Sequence, residues 1–197
     1  EIRPRDWSSD VCSSDLGELQ LVMPAAASIT QSDRWLTMIA PPYLPYAPAL
    51  AAQGVKLSRL MLIRPKVLAQ QLWACEQALL ADTCGAVMLW LDHTPDRATE
   101  NALRRLQLAV EHRNVLAFLF RTSRVTPCVQ ASLRLHVSRQ QSSTAIRILK
   151  RRGGGIPAPV MLDLHKQFIR RSAAPRTEGY GAFPVTAQQP EFTLTAH

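Results

Sequence analysis

The distribution of apolar residues along the chain predicts alternating strands and helices. Four short apolar runs lack the apolar–polar alternation of a half-exposed strand, which indicates strands buried on both faces. These predicted strands are Trp35–Ala40, Arg59–Arg64, Ala86–Leu91 and Val115–Phe120. Apolar residues with helical spacing mark the segments around them, which are Glu18–Gln31, a short helix ending at Gly54, Pro65–Ala81 and Asp96–His112. We expect Pro24 to bend the first helix or to end it early. The alternation predicts an α/β fold with a mostly parallel sheet flanked by helices.

The pattern changes after Pro127, where apolar and polar residues begin to alternate. Three such segments, around Val137, Ile146 and Leu162, are separated by turns at Gln140–Ser143 and Gly153–Pro157. This pattern predicts a C-terminal antiparallel extension of the sheet. Residues 172–197 are rich in Ala, Pro, Thr and Gln and are expected to form a flexible tail. Residues 17–171 are therefore expected to form a single domain.

The first sixteen residues differ in composition from the rest of the chain. Asp6–Leu16 contains a repeated Ser-Ser-Asp and has neither helical nor strand periodicity. It resembles the translation of a sequencing-library adapter, so we interpret residues 1–16 as a non-native leader. A natural disordered leader is the alternative. On the first interpretation, the natural protein is expected to begin upstream of Gly17.

Composition restricts the class of protein. Apolar residues make up 47% of the chain and charged residues 19%, which indicates a folded core. No apolar run is long enough to span a bilayer, and no signal peptide is evident, so we expect a cytoplasmic protein that does not bind membranes. The four cysteines form no Cys-x-x-Cys pair, which favours free thiols, and neither a metal nor a cofactor is predicted.

The positive charge is concentrated in the last third of the sequence. Up to Leu133 there are 13 Lys and Arg against 12 Asp and Glu, whereas from Arg134 onward there are 10 against 3. Within this region Arg147, Lys150, Arg151 and Arg152 run into a glycine turn, where they would suit DNA phosphate or an acidic partner. A solvated edge strand protected by its charges is an equally good explanation.

Sequence motifs for catalysis are sparse. Gly-x-Ser-x-Gly, His-Glu-x-x-His and the Gly-x-x-x-x-Gly-Lys-Ser/Thr phosphate loop are all absent from the sequence. Asp92 follows an apolar strand, as does the acid that holds Mg²⁺ in many nucleotide-binding proteins. The signal is weak, and its more common explanation is an acidic residue that simply ends a strand before a turn.

Several segments, in order from Gly17 to about Phe168, together carry a family resemblance. They are Gly17–Leu21, Ile39–Pro42 with Pro45–Pro48, Leu72–Leu79, Arg104–Ala109 and Leu149–Gly154. In combination they resemble the ImuA family of SOS-induced mutagenesis proteins. Part of the resemblance, Ala40–Pro42 and its flanking strands, is shared with SulA, the SOS inhibitor of cell division that binds FtsZ. SulA-like proteins end soon after the strand that corresponds to Val115–Phe120, which favours ImuA.

The resemblance implies a fold, a function and a set of partners. Both families look like remnants of the RecA ATPase core, and in ImuA-like proteins Gly17, Glu18 and Leu19 stand where RecA-type ATPases have Gly-Lys-Thr. A carboxylate in place of the lysine would repel phosphate, so no ATPase activity is expected. The implied role is that of a non-catalytic accessory to translesion synthesis, with an ImuB-like protein, an error-prone polymerase subunit and RecA as partners. A SulA-like inhibitor of FtsZ and an ATP-dependent recombinase are the alternatives.

Overall fold

The structure, a computed structural model, describes residues 17–91, 96–111, 113–122, 131–140, 143–153, 155–163 and 192–196. The helices in these residues are α1 (Gly17–Gln31), α2 (Ala47–Ala52), α3 (Leu68–Leu80) and α4 (Arg97–Glu111), with a 3-10 turn at Leu57–Arg59. The strands are β1 (Trp35–Ile39), β2 (Leu60–Ile63), β3 (Cys84–Trp90), β4 (Leu116–Thr122), β5 (Leu133–Gln140), β6 (Ser143–Lys150), β7 (Val160–Leu162) and β8 (Phe192–Ala196).

All eight strands belong to one mixed sheet, in the order β2-β1-β3-β4-β8-β5-β6-β7. The first four strands are parallel to one another. The remaining strands pair antiparallel, and β8 joins the two halves because it pairs with both β4 and β5. The predicted α/β fold, with a parallel sheet flanked by helices and an antiparallel extension, is therefore confirmed.

Helices cover both faces of the parallel half, which creates two apolar layers. On one face α1 and α2 pack through Val22, Met23, Ala26 and Leu50 onto Met38, Met88 and Phe120. On the other face α3 and α4 pack through Cys75, Leu79, Leu103 and Leu106 onto Val87, Leu89 and Leu119. Because successive strand residues face opposite layers, a strand covered on both sides needs apolar residues at every position. All seven residues of β3 are buried, which explains why its sequence shows no alternation.

Two details of the parallel half differ from the predictions. The first helix does not end early at Pro24, because Pro24 lies inside α1 and the helix continues to Gln31. Its ring is on the exposed side of the helix, while its neighbours Val22, Met23 and Ala26 hold the helix against the sheet. The strand around Arg59–Arg64 is not buried on both faces, because β2 lies at the end of the sheet, where Met61 is 43% and Leu62 37% exposed.

The predicted flexible tail contains a strand. Residues 192–196 form β8 in the middle of the sheet, so the prediction for 172–197 does not hold for this segment, while 164–191 lie outside the described residues. The segment Phe-Thr-Leu-Thr-Ala alternates apolar and β-branched polar residues, which favours a strand. The overall composition of the tail obscured this local pattern. The predicted leader at 1–16 also lies outside the described residues.

Candidate functional site

The first turn of α1 lies at the carboxyl edge of the parallel strands. This placement follows from connectivity, because α1 ends at Gln31 just before β1 begins, so the helix runs back across the sheet. Gly17, Glu18 and Leu19, the residues predicted to be a degenerate phosphate loop, form this first turn. Glu18 is buried, at 5% exposed, and Leu19 packs against the core beneath α1.

The position of Glu18 has an electrostatic consequence. The amino end of a helix carries a partial positive charge and unpaired N–H groups, which attract anions. In this chain a side-chain carboxylate stands in that first turn. A carboxyl group so close to the helix end occupies the space that a phosphate would need, and in its ionised form it would also repel the phosphate.

Two aromatic rings lie near the carboxyl ends of β3 and β4, in the apolar layer under α1. Trp90 and Phe120 stack with ring centroids 4.5 Å apart and planes 10° from parallel. Both are almost fully buried in the layer under α1. Just beyond, the N–H of Leu91 donates a 3.0 Å hydrogen bond to the Phe120 carbonyl. Asp92, the predicted magnesium-binding acid, lies outside the described residues.

A third feature of this edge is the backbone at Ala40. Ala40 has a φ of 52°, in the left-handed region that residues with a side chain rarely adopt. Its N–H donates to the carbonyl of Ile63 at 2.9 Å, which ties the end of β1 to β2. The strained residue belongs to the Ala40–Pro42 segment, and backbone strain of this kind concentrates at functional sites.

One enclosed space among the described residues is too small for a nucleotide. It is a cavity of about 30 Å³ under α3 and α4, lined mostly by apolar side chains such as Leu79, Leu103 and Leu119. This volume is about that of one water molecule. Within the described ranges, no group of three His, Cys, Asp or Glu side chains is placed to hold a metal.

The basic residues of the antiparallel half form the second candidate site. Arg147 is exposed on β6 and lies opposite His136 on β5. Lys150, at the end of β6, lies opposite Arg134. Because residues two apart on a strand share a face, the side chains of Arg134 and His136 lie on the same face of the sheet. The side chains of Lys150 and Arg147, which lie opposite them on β6, are on that face too. We call Arg134, His136, Arg147 and Lys150 the basic row.

An irregularity in the pairing produces this alignment. Arg147 and Lys150 are three residues apart, so a regular strand would place them on opposite faces. The register shifts between Arg134 and Leu135, since Leu135 pairs with Ile148 whereas Arg134 pairs with Lys150. Leu149 is the extra residue of a β-bulge, which brings Lys150 onto the face of Arg147. Arg134 and His136 could not be identified from the sequence as part of this group, because their alignment with β6 depends on this register.

The remaining predicted cations lie beyond β6. Arg151 is exposed, and Arg152 is exposed but pairs with Glu111 at the end of α4, with Nη2 3.1 Å from Oε1. Gly153, with a φ of 71°, makes the turn that follows. Arg147, Lys150 and Arg151 thus lie within five residues of one another, and Arg152 forms an ion pair with Glu111.

Comparison with known proteins gives limited similarity. No protein-family model matches the chain, and no curated protein matches it either. A crystal structure of SulA from Pseudomonas aeruginosa is 28% identical over 51% of this chain and 82% of its own, with a TM-score of 0.39. A structure of an S-adenosylmethionine-dependent methyltransferase from Clostridium acetobutylicum ATCC 824 is 9% identical over 88% of this chain and 91% of its own, with a TM-score of 0.27. TM-scores this low support no conclusion about function.

Proposed function

We propose that this chain is a non-catalytic accessory protein of SOS-induced, error-prone translesion DNA synthesis. In this role it acts with an ImuB-like protein and a mutagenic polymerase subunit. The observation that carries the proposal is that the ImuA-like segments continue, in order, through the β5–β6 hairpin to Lys150 and Gly153. SulA-like sequences end soon after the strand that corresponds to β4, so the hairpin distinguishes the two families.

The basic row supports a role close to DNA. Four basic side chains, one of them a histidine, share one face of the hairpin, and Arg151 follows directly. Such a group attracts phosphates or an acidic protein surface, and each phosphate it neutralises releases counterions. A protein that works beside a polymerase on damaged DNA meets both kinds of surface.

The first turn of α1 supports the absence of ATP hydrolysis. The carboxylate of Glu18 stands in a helix turn that would otherwise attract phosphate, and the stacked rings of Trp90 and Phe120 lie near the carboxyl ends of the neighbouring strands. Without a bound nucleotide, the protein would act through its surfaces. This agrees with a role in assembling other proteins rather than in catalysis.

A SulA-like inhibitor of FtsZ assembly is the second candidate. One observation favours it: the Ala40–Pro42 segment and its flanking strands resemble SulA. This function would use the parallel half of the sheet, which the two families share. It would not require the basic row.

A pull-down with purified partners tests the proposal. The tagged chain is mixed separately with an ImuB-like protein, an error-prone polymerase subunit, RecA and FtsZ. We expect retention of the ImuB-like protein, and weaker retention by a Lys150→Ala/Arg151→Ala/Arg152→Ala variant. Retention of FtsZ together with inhibition of its GTP-dependent assembly, and no retention of the ImuB-like protein, would establish the second candidate instead.

A further inference from the structure

The outer edge of β2 is apolar and exposed. In the part of the chain that the structure describes, β2 is the last strand of the sheet on this side, with β1 as its neighbour. Met61 and Leu62 point to opposite faces, and they are 43% and 37% exposed. Edge strands are usually protected by charged residues, prolines or bulges because their free peptide groups pair readily with another chain. The four residues of β2, Leu60–Ile63, carry none of these protections.

Part of the backbone of this edge is available for pairing. The Ile63 carbonyl accepts a hydrogen bond from Ala40 on the β1 side. Because the N–H and C=O groups of successive strand residues alternate in direction, those of Leu62 point away from β1, as does the Leu60 carbonyl. The N–H of Leu60 donates to the Leu57 carbonyl in the preceding 3-10 turn, so a partner strand would find the N–H and C=O of Leu62 and the C=O of Leu60. It would also contact the Met61 side chain on one face and the Leu62 side chain on the other.

Positive charges flank the apolar edge. The segment from Arg34 to Cys75 contains five Lys and Arg residues and no Asp or Glu. On one side of β2, Lys56 and Arg59 share the Asp33 carboxylate, with their nitrogens at 2.6 and 3.4 Å. On the other side Arg64 and Lys66 are exposed. This local concentration of charge was not evident from the near-neutral balance of the first 133 residues.

The charges disfavour pairing between two copies of this chain. An isologous dimer would pair β2 antiparallel with its copy. In the register that aligns the two four-residue strands, Arg59 lies opposite Arg64 of the second copy. Like charges opposite each other across a ladder are destabilising, and this arrangement repeats them at both ends.

We propose that the outer edge of β2 binds an extended segment of a partner protein by strand addition. The segment has apolar residues in its centre, which contact Met61 and Leu62, and acidic residues near its ends, which face Arg59 at one end and Arg64 with Lys66 at the other. The site is at the opposite end of the sheet from the hairpin that carries the basic row. It is therefore independent of the function proposed above.

A displayed library of random 12-residue peptides provides the probe. The library is selected on the immobilised full-length chain, and the affinity of the most enriched peptide is then measured by fluorescence anisotropy. The decisive variant is Leu62→Pro, which removes an outward N–H without breaking the β1–β2 ladder. Val160→Pro is the matched control, because it places a proline in β7, the strand at the other end of the same sheet.

We expect enriched peptides with an apolar centre and acidic ends. Leu62→Pro should weaken their binding by about tenfold or more, whereas Val160→Pro should leave it unchanged. Arg64→Glu/Lys66→Glu should weaken binding similarly, and it tests the same site if Leu62→Pro fails to fold. Enrichment of peptides without acidic residues, or equal binding to Leu62→Pro, would overturn the proposal.

Two further measurements distinguish other occupants of the edge. In amide hydrogen exchange, Leu62 should exchange much faster than Met61 and Ile63, because its N–H group points outward. Equal protection of these three residues in a monomer would mean that another part of this chain already covers the edge. A dimer in analytical ultracentrifugation that Leu62→Pro dissociates would assign the edge to a second copy. Either result would overturn the proposal.

Discussion

Arg134 lies directly opposite Lys150 across the β5–β6 ladder, one residue out of step with the pairing of Leu135 and Ile148. The extra residue, Leu149, rotates the end of β6 so that Lys150 shares a face with Arg147. Bulges often re-aim side chains next to functional sites. The bulge therefore turns cations that would face opposite sides of the sheet into one continuous basic row.

Neutralising the basic row should weaken DNA binding and its dependence on salt. In Arg147→Gln/Lys150→Gln two cations are lost, so the slope of log K against log salt should become less steep by roughly two. Fluorescence anisotropy with duplex DNA at several salt concentrations measures this slope. Exposed strand charges contribute little to stability, so the melting temperature should stay nearly constant.

Arg152→Gln is the control for this experiment. Arg152 lies beyond the end of β6 and is not part of the basic row, so its loss should change the slope less. The Lys150→Ala/Arg151→Ala/Arg152→Ala variant should behave like the double variant. If neither multiple variant changes binding to DNA or to any protein partner, the cations would serve only to protect the end of β6 that lies beyond its pairing with β7.

The parallel half was largely predictable from sequence because its strands and helices carry distinct periodicities. β3 is buried on both faces and is apolar throughout, and α4 shows a strong apolar stripe at Leu103, Leu106 and Val110. The position of β2 at the edge could not be read from its sequence, since Leu60–Ile63 is as apolar as β3. Strand order depends on contacts distant in sequence, and a single sequence does not display them.

The candidate sites were predictable only in part, for the same reason. Cations such as Arg147 and Lys150 are visible in sequence, but the bulge that aligns them depends on register. Glu18 was singled out through a resemblance, and its burial adds a physical reason that the sequence could not supply. The positive charges on either side of β2 are hidden in the sequence because the first 133 residues are nearly neutral when they are counted together.

The chain should not bind Mg²⁺-ATP at micromolar concentrations. The phosphate loop is absent from the sequence, and the carboxylate of Glu18 opposes an anion at the start of α1. Isothermal titration calorimetry with the full-length chain should detect no stoichiometric binding. Tight, Mg²⁺-dependent binding that Asp92→Asn abolishes would contradict two interpretations. One is that Glu18 prevents phosphate binding, and the other is that Asp92 simply ends a strand before a turn.

Gly85→Ala should destabilise the fold strongly. A Cβ atom at this position would overlap Cγ2 of Ile29 and lie 2.9 Å from Cβ of Arg34. Arg34 is held in place, because its Nη2 donates a 2.6 Å hydrogen bond to the Cys84 carbonyl. Overpacking of this kind costs about 1 to 3 kcal/mol. Gly155→Ala, where a Cβ would meet nothing within 4 Å, should leave the urea midpoint unchanged and serves as the control.

Stability should fall at alkaline pH partly through Cys75. Burial raises the pKa of the Cys75 thiol from 9.0 to about 12. The neutral thiol is therefore favoured in the folded state, and its contribution is complete below the unfolded pKa of 9.0 and lost as the pH rises toward 12. Urea unfolding across this range should show a shallower pH dependence for Cys75→Ala than for the parent. Equal slopes would indicate that the thiol ionises as easily in the folded protein as in the unfolded chain.

Truncations at the two ends of the chain should have opposite outcomes. Removing residues 192–197 deletes β8, which pairs with β4 on one side and β5 on the other. The loss would leave two facing strand edges without partners and would separate the parallel half from the hairpin, so we expect a lower melting temperature and aggregation.

Removing residues 1–16 deletes a segment with no periodic apolar face, so the melting temperature of the shortened protein should match that of the parent. Thermal unfolding of both truncations, followed by circular dichroism, makes the comparison. A stable, monomeric chain without residues 192–197 would show that β4 and β5 do not need β8, and a large loss on removing residues 1–16 would show that the leader takes part in folding.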